Sequence, residues 1–318
     1  MKIVASAGNP DIAMVYVVEF DGGLVECVEA IQPPRAREEK WVLMISTLFG
    51  CPVSCQMCDA GGHYRGKLTE SEMYAQIDYL IDQRYPDGFV PSKQFKIQFA
   101  RMGEPALNPE VLDLLETLPE KLNAPGLLPS LSSIAPHGTD DFFERLTDIK
   151  NRVYPDGGFQ FQFSIHTTDQ QLRDELIPVK KWDFQKMATF GERYFIPGDR
   201  KITLNFALAK QSPIQSDILL KYFDPDRFLI KITPLNPTYQ AVSTGLKSYV
   251  DLETGSENYP ILDELREAGY QVILSIGEQE ENQIGSNCGQ YVQKHLMEHG
   301  ELSAGYTYQI ENSLVTPD

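Results

Sequence analysis

The 318-residue chain carries 28 Lys and Arg against 45 Asp and Glu, a formal net charge of −17, with 42% hydrophobic and 23% charged residues. That balance belongs to a globular protein with a real core and excludes a disordered chain, while the acidity opposes broad adhesion to nucleic acid or anionic lipid. No run approaches the roughly 18 consecutive apolar residues of a membrane helix, the N-terminus lacks a signal peptide's layout, and five cysteines are too few for a disulfide scaffold.

The first thirty residues read as strands: IVASA, MVYVVEF and, after the turn signal Asp21-Gly22-Gly23, GLVECVEA. A connector rich in Pro and charge (32–40) leads into WVLMISTLF, a continuous apolar run of the kind found in a strand buried on both faces. After a Gly-punctuated loop, Thr69 and Glu72 form a capping-box pattern, and Met73, Ile77, Leu80 and Ile81 follow at helical spacing. The strand FKIQFA (95–100) precedes a helix announced by Asn108 as cap and Pro109 at its first position. Then come LLPSLSSI, a helix from about Thr139, the strand FQFSIH (161–166), helical QQLRDEL and the strand KITLNFAL (201–208). A short helix near 214–221, FLIKITPL (228–235), a helix near 260–268 and QVILSI (271–276) complete the series.

Six or seven strands alternating with helices from residue 41 favour βα repeats around a parallel sheet. The expected fold is α/β: a partial (β/α)6 barrel of TIM type over residues 40–298, with a small β extension at 1–39 and a tail at 299–318. In such barrels the chemistry sits in the loops that follow the strands.

Directly after the first barrel strand lies Cys51-x3-Cys55-x2-Cys58, while Cys27 and Cys288 stand alone. One tight cluster in an odd total points to a reducing compartment, the cytoplasm, and to thiolates committed to a metal. Three thiolates on one loop can hold three corners of a [4Fe–4S] cluster and leave one iron open. Zinc needs a fourth ligand, for which His63 is the nearby candidate, and no second Cys or His pair lies close.

The CxxxCxxC pattern resembles that of the radical S-adenosylmethionine (SAM) enzymes, with Met57 in place of the usual aromatic before the last cysteine. The resemblance implies that the open iron chelates SAM, and that reductive cleavage gives a 5′-deoxyadenosyl radical. Five further segments, in order, are similar to those of the Cfr/RlmN branch, which methylates an adenine carbon in RNA. They are GGHYRGKLT (61–69), MGEPALN (102–108), SIHTTDQQLRDELIP (164–178), ITPLNP (232–237) and IGSNCGQ (284–290).

The resemblance implies SAM contacts at Gly103, Glu104, Ser164, His166 and Asn236. On the residues alone, Gly103-Glu104-Pro105 is equally a strand-end turn and Asn236-Pro237 a turn signal. Ser164 and His166, two apart on a strand, should share a face. Cys288 matches the cysteine that is methylated by one SAM and carries the carbon to substrate, or else serves as a hydrogen-atom donor. Glu26 matches a glutamate that moves a proton at the substrate, although a strand Glu is usually solvated.

Two departures matter. The family's resolving cysteine falls at Met44, which cannot exchange thiols, and Cys27, next to Glu26 on one strand, should face the other way. The family's RNA-binding N-terminal domain has no counterpart in residues 1–39, and residues 173–231 are net basic, with eleven Lys and Arg against eight Asp and Glu, so that the remainder carries −20. The expectation is methyl(ene) transfer to a small-molecule or peptide substrate, with flavodoxin or ferredoxin as electron donor and large rRNA disfavoured. The alternatives are hydrogen abstraction as in an epimerase or dehydrogenase, RNA adenine methylation, and a non-catalytic Fe–S protein.

Overall fold

The computed structural model describes residues 1–251, 259–277, 279–286, 291–292 and 308–312. Three strands open the chain: β1 (Lys2–Asn9), β2 (Ala13–Phe20) and β3 (Gly23–Ile31), antiparallel in sequence order. β3 then pairs antiparallel with β4 (Lys40–Ile45), Val28 opposite Met44, so one ladder runs through the expected 39/40 boundary.

The apolar run 41–49 is not one strand. β4 stops at Ile45, and β5 (Leu48–Cys51) turns away to form a hairpin with β6 (Gly62–Lys67). The break is made by polar groups that apolar patterning does not weigh. Ser46 Oγ donates to the Glu26 carbonyl at 2.5 Å, Gln76 Oε1 accepts from the Ser46 N–H at 2.9 Å, and Thr47 N–H bonds the Met102 carbonyl. These buried bonds replace the ladder at the kink.

The βα alternation follows: α1 (Glu70–Asp82), β7 (Gln94–Phe99), α2 (Glu110–Lys121), β8 (Leu127–Ser133), α3 (Asp140–Val153) and β9 (Gln160–Ser164). Next come α4 (Gln170–Leu176), α5 (Phe184–Tyr194), β10 (Ile202–Leu208), α6 (Ser216–Tyr222), β11 (Phe228–Pro234), α7 (Tyr239–Ser243), α8 (Pro260–Glu267), β12 (Val272–Leu274) and α9 (Gln279–Ile284). Both halves of the Thr69–Glu72 capping box are formed. α2 begins one residue later than expected, with Asn108 Oδ1 accepting from the Glu110 N–H. α5 has no counterpart among the expected helices. Its Gly191 weakens a helical pattern, yet a Cβ there would meet the Phe228 ring at 2.2 Å.

Among the described residues, strands β4, β7, β8, β9, β10, β11 and β12 pair in parallel, seven in place of six, in an open sheet of eleven whose far edge is β1 paired with β13 (Glu311–Asn312). The partial barrel is therefore open, and part of the expected tail returns to the N-terminal sheet.

The parallel strands alternate. Phe95, Ile97, Phe99, Phe161, Phe163, Leu204, Phe206, Ile230 and Ile232 are buried in the core, and Phe161 and Phe163 meet Phe143 and Phe190 from the helices in edge-to-face and tilted contacts. The intervening Lys96, Gln98, Gln162, Asn205 and Lys231 instead line a cavity of about 670 Å3 on the other face. A strand packed on both faces would be apolar throughout; these are not, because their inner face bounds a space. Among the described residues, no helix is long and apolar enough to cross a membrane.

Candidate active site

All three cluster-motif cysteines and all five expected SAM-contact residues line this one cavity. Cys51 ends β5, and Cys55 and Cys58 lie on the loop that follows. The loop is fastened at several points. Asp59 accepts from the N–H groups of Tyr239 and Gln240 at 3.0 and 2.7 Å, at the start of α7, and Thr238 Oγ1 donates to the Met57 carbonyl at 2.9 Å. On its other side, Gln56 N–H bonds the carbonyl of Leu176. Neither Asp59 nor Thr238 was predicted. Their role depends on a contact across 180 residues that no local pattern encodes.

Burial pushes the Cys51 thiol up to about 11, while the backbone N–H groups of Val53, Ser54 and Glu104 pull against it. A metal that takes this sulfur as thiolate must displace its proton. No three His, Cys, Asp or Glu side chains among the described residues converge as a single-ion site. His63 stands exposed on β6. A mononuclear zinc needs four donors on one point, whereas a cubane takes each thiolate on a different iron, so this donor set suits a cluster.

The next loop needs its glycine. Gly103 has φ of 100°, and a Cβ there would lie 2.5 Å from the side chain of Leu48. Glu104 is buried and spans two elements. It accepts from Ser133 Oγ at 2.6 Å, from Ile134 N–H at 3.0 Å and from Ala106 N–H at 3.1 Å. Burial raises its carboxyl to about 7 against the pull of those three bonds.

β9 ends at Ser164, and His166 has left the strand with φ of 67°, so the period-2 expectation does not apply to the pair. Both still line the cavity, because the chain bends inward beyond the strand. His166 Nδ1 accepts from the Ala207 N–H at 3.2 Å. Burial, and then the charge of Arg173, lower its pKa to about 4, so the ring is neutral with its proton on Nε2. Arg173 itself is fully buried, donating to the carbonyls of Trp182 and Ile134. Asn236 follows β11, and its Oδ1 is buried without a hydrogen-bond partner among the described residues.

Glu26 is not solvated and is not among the residues lining the cavity. Arg101 Nε and Nη2 donate to its Oε2 at 2.9 and 2.5 Å, and Val292 N–H donates to Oε1 at 2.5 Å. Arg101 Nη1 also donates to the Ser286 carbonyl at 2.7 Å. Burial raises the Glu26 carboxyl, and the Arg101 guanidinium opposes it. Cys288 lies outside the described residues, in 287–290 between those two anchor points. Met44 lines the cavity. Cys27 is buried on the opposite face of β3 from Glu26, paired across the ladder with Tyr16 and close to Tyr79. Its thiol is pushed up by burial.

No family model matches the chain. A probable dual-specificity RNA methyltransferase RlmN of Desulfitobacterium hafniense is 27% identical over 278 residues, covering 85% of this chain and 72% of that protein. The dual-specificity RNA methyltransferase RlmN of Marinobacter nauticus is 24% identical over 303 residues, covering 92% and 75%. The crystal structure of a radical SAM methyltransferase from Sphaerobacter thermophilus shares the fold, with a TM-score of 0.70 at 19% identity over 91% of this chain and 80% of that one. Members of this group use SAM and an iron–sulfur cluster. In motif order, sequence and fold together, the chain is similar to the Cfr/RlmN-like radical SAM proteins.

Proposed function

We propose that the chain is a radical SAM methyltransferase that holds a [4Fe–4S] cluster on Cys51, Cys55 and Cys58 and transfers a methyl-derived carbon through Cys288. The observation that carries this reading is the convergence of the three thiols with Gly103, Glu104, Ser164, His166 and Asn236 on a single cavity. When bound, the cluster supplies the electron that cleaves SAM reductively.

The chain's own residues bind and orient. Gly103 lets backbone approach the ligand, the neutral His166 offers an N–H, and Asn236 Oδ1 offers a buried acceptor with no donor among the described residues. Glu104, already holding three hydrogen bonds, fixes the loop that carries Gly103. Glu26 reads as a positioning residue: its oxygens are taken up by Arg101 and Val292, and through them it holds the chain on both sides of residues 287–290. A flavodoxin or ferredoxin suits the electron-donor role.

A small molecule or peptide suits a cavity of about 670 Å3, within the roughly 300–1,000 Å3 of small-ligand sites. RNA adenine is the second reading, favoured by the names of the relatives. The deciding experiment is anaerobic reconstitution with deuterated-methyl SAM and a reductant. Expected are 5′-deoxyadenosine and, after SAM exposure, protein heavier by one labelled methyl group at Cys288, lost in Cys288→Ala. An unlabelled Cys288 with SAM still cleaved, and solvent deuterium entering product, would move the assignment to hydrogen abstraction. No SAM cleavage at all would leave a non-catalytic Fe–S protein. Label recovered in added RNA, and in no small molecule, would establish the second reading.

A further inference from the structure

We infer that Lys40, Lys96 and Lys231, on the inner face of the sheet, form an anion site that receives a phosphate or carboxylate group of a small substrate. This rests on the proposed reading of the cavity as the place of SAM chemistry, and adds the charge of what enters it.

The three lysines come from separate strands, β4, β7 and β11, and all line the cavity. Lys231 is in register with Asn205, and Asn205 with Ser164, so one rung of the sheet leads from the SAM-contact residues to a lysine. The chain has far more carboxylates than cations, yet none of the ion pairs among the described residues includes Lys40, Lys96 or Lys231. Lys40 donates to the amide oxygen of Gln32, and no hydrogen bond is formed by the ammonium of Lys96 or Lys231 among the described residues. Two acids share the cavity: Glu104, held among the loops, and Glu281, which bears electrostatically on Lys40.

Like charges gathered in a half-enclosed space repel one another and lose hydration, a cost that packing alone would avoid with the aliphatic residues found on the other face. Burial, followed by the charges of Lys231, Lys40 and Arg200, lowers Lys96 to about 7. Burial and Lys40 lower Lys231 as well. An anion would complete this set of lysines: it neutralises the repulsion and accepts the ammonium N–H groups in charge-assisted bonds.

The test is calorimetric titration of the anaerobically reconstituted full chain with inorganic phosphate, and separately with succinate, in the absence of RNA. Saturable binding of either is expected, weakened about tenfold or more in Lys96→Met and in Lys231→Met, and largely kept in Lys96→Arg. The tighter of the two probes names the group. Because a bound anion restores the Lys96 proton, succinate affinity should fall as pH rises above about 7. Removing a repelled cation should leave thermal stability unchanged or raised, so loss of binding is separable from unfolding; iron content gives the same control. No saturable binding to the unsubstituted protein, unchanged affinity in the Met variants, or binding of an RNA oligonucleotide with neither small anion would overturn the inference. Loss of SAM cleavage by the unsubstituted enzyme would instead sink the radical reading and leave the titration as measured.

Discussion

The cavity has two kinds of wall. Side chains delivered by the loops at the strand ends are held before any ligand arrives: Glu104 by three donors, His166 by the Ala207 N–H, and the cysteine loop by Asp59 and Thr238. Two side chains carried on the strands themselves are not: among the described residues, Lys96 and Lys231 enter no ion pair and their ammonium groups form no hydrogen bond. The difference separates preorganisation from readiness. Reactive geometry must be fixed in advance, because a displacement of about 1 Å in a catalytic group costs on the order of 100-fold in rate. A recognition surface can keep polar groups open, provided its ligand supplies the missing partners.

The largest effect that would sharpen this contrast is at the cysteines. Replacing Cys51, Cys55 and Cys58 together by Ala should abolish cluster assembly and SAM cleavage, while Lys96→Met retains the iron. Iron analysis and the cluster's absorption spectrum are the measurements. A triple variant with undiminished iron would break the division, since the metal would then reside elsewhere.

Next in size is the Glu26–Arg101 pair, in which Glu26 backs the cavity-lining Arg101. Breaking a fully buried ion pair from one side leaves an unpaired charge and costs about 3–5 kcal/mol, so Arg101→Met should lower the denaturation midpoint strongly. Glu26→Gln leaves a neutral amide in place and should cost less. If Glu26→Gln abolishes methyl transfer with stability and Cys288 labelling both intact, Glu26 moves protons at the substrate, as first expected.

The loop wall and the strand wall also differ in how legible they were. The loop residues announced themselves through local motifs, CxxxCxxC, MGEPALN and ITPLNP, because tight turns and ligand-facing backbone restrict residue choice over a few positions. Lys96 and Lys231 have a signal too, in FKIQF and FLIKITP, where Lys96 and Gln98, and Lys231 and Thr233, fall on alternate positions between apolar residues. In a parallel strand covered by helices on one side, that alternation means the other side bounds a space. It does not say what fills the space. The kink at Ser46-Thr47 and the Asp59 clasp depend on partners 30 and 180 residues away, which no window along the chain contains.

Asn236 tests the contrast from within: it is carried by a loop, yet its buried Oδ1 has no partner among the described residues. Without ligand, Asn236→Ala removes a buried oxygen that has no partner, so stability should hold or rise slightly. With SAM, a lost hydrogen bond of about 1–3 kcal/mol predicts affinity roughly tenfold to a hundredfold weaker. Equilibrium binding and thermal melts on the same variant separate the two. Unchanged SAM affinity would return Asn236 to the turn.

The smallest expected effect lies just behind the wall, at Cys27. It is the spare thiol on β3, and the position where a resolving cysteine would stand is Met44, which lines the cavity and cannot exchange thiols. Strand geometry sends Cys27 to the face opposite Glu26, where it lies fully buried beside Tyr16 and Tyr79. Burial holds its thiol protonated, so the attacking thiolate is scarce as well as misdirected. Cys27→Ala should therefore leave turnover unchanged, and cost only about 1 kcal/mol of stability for the small cavity it opens. The informative outcome is the opposite one. If Cys27→Ala stops turnover and traps substrate on Cys288, then β3 must rearrange during the reaction, and Cys27 must reach the cavity by leaving Tyr16 and Tyr79. Reaction with a thiol reagent under turnover, absent in the resting protein, would then report that movement directly.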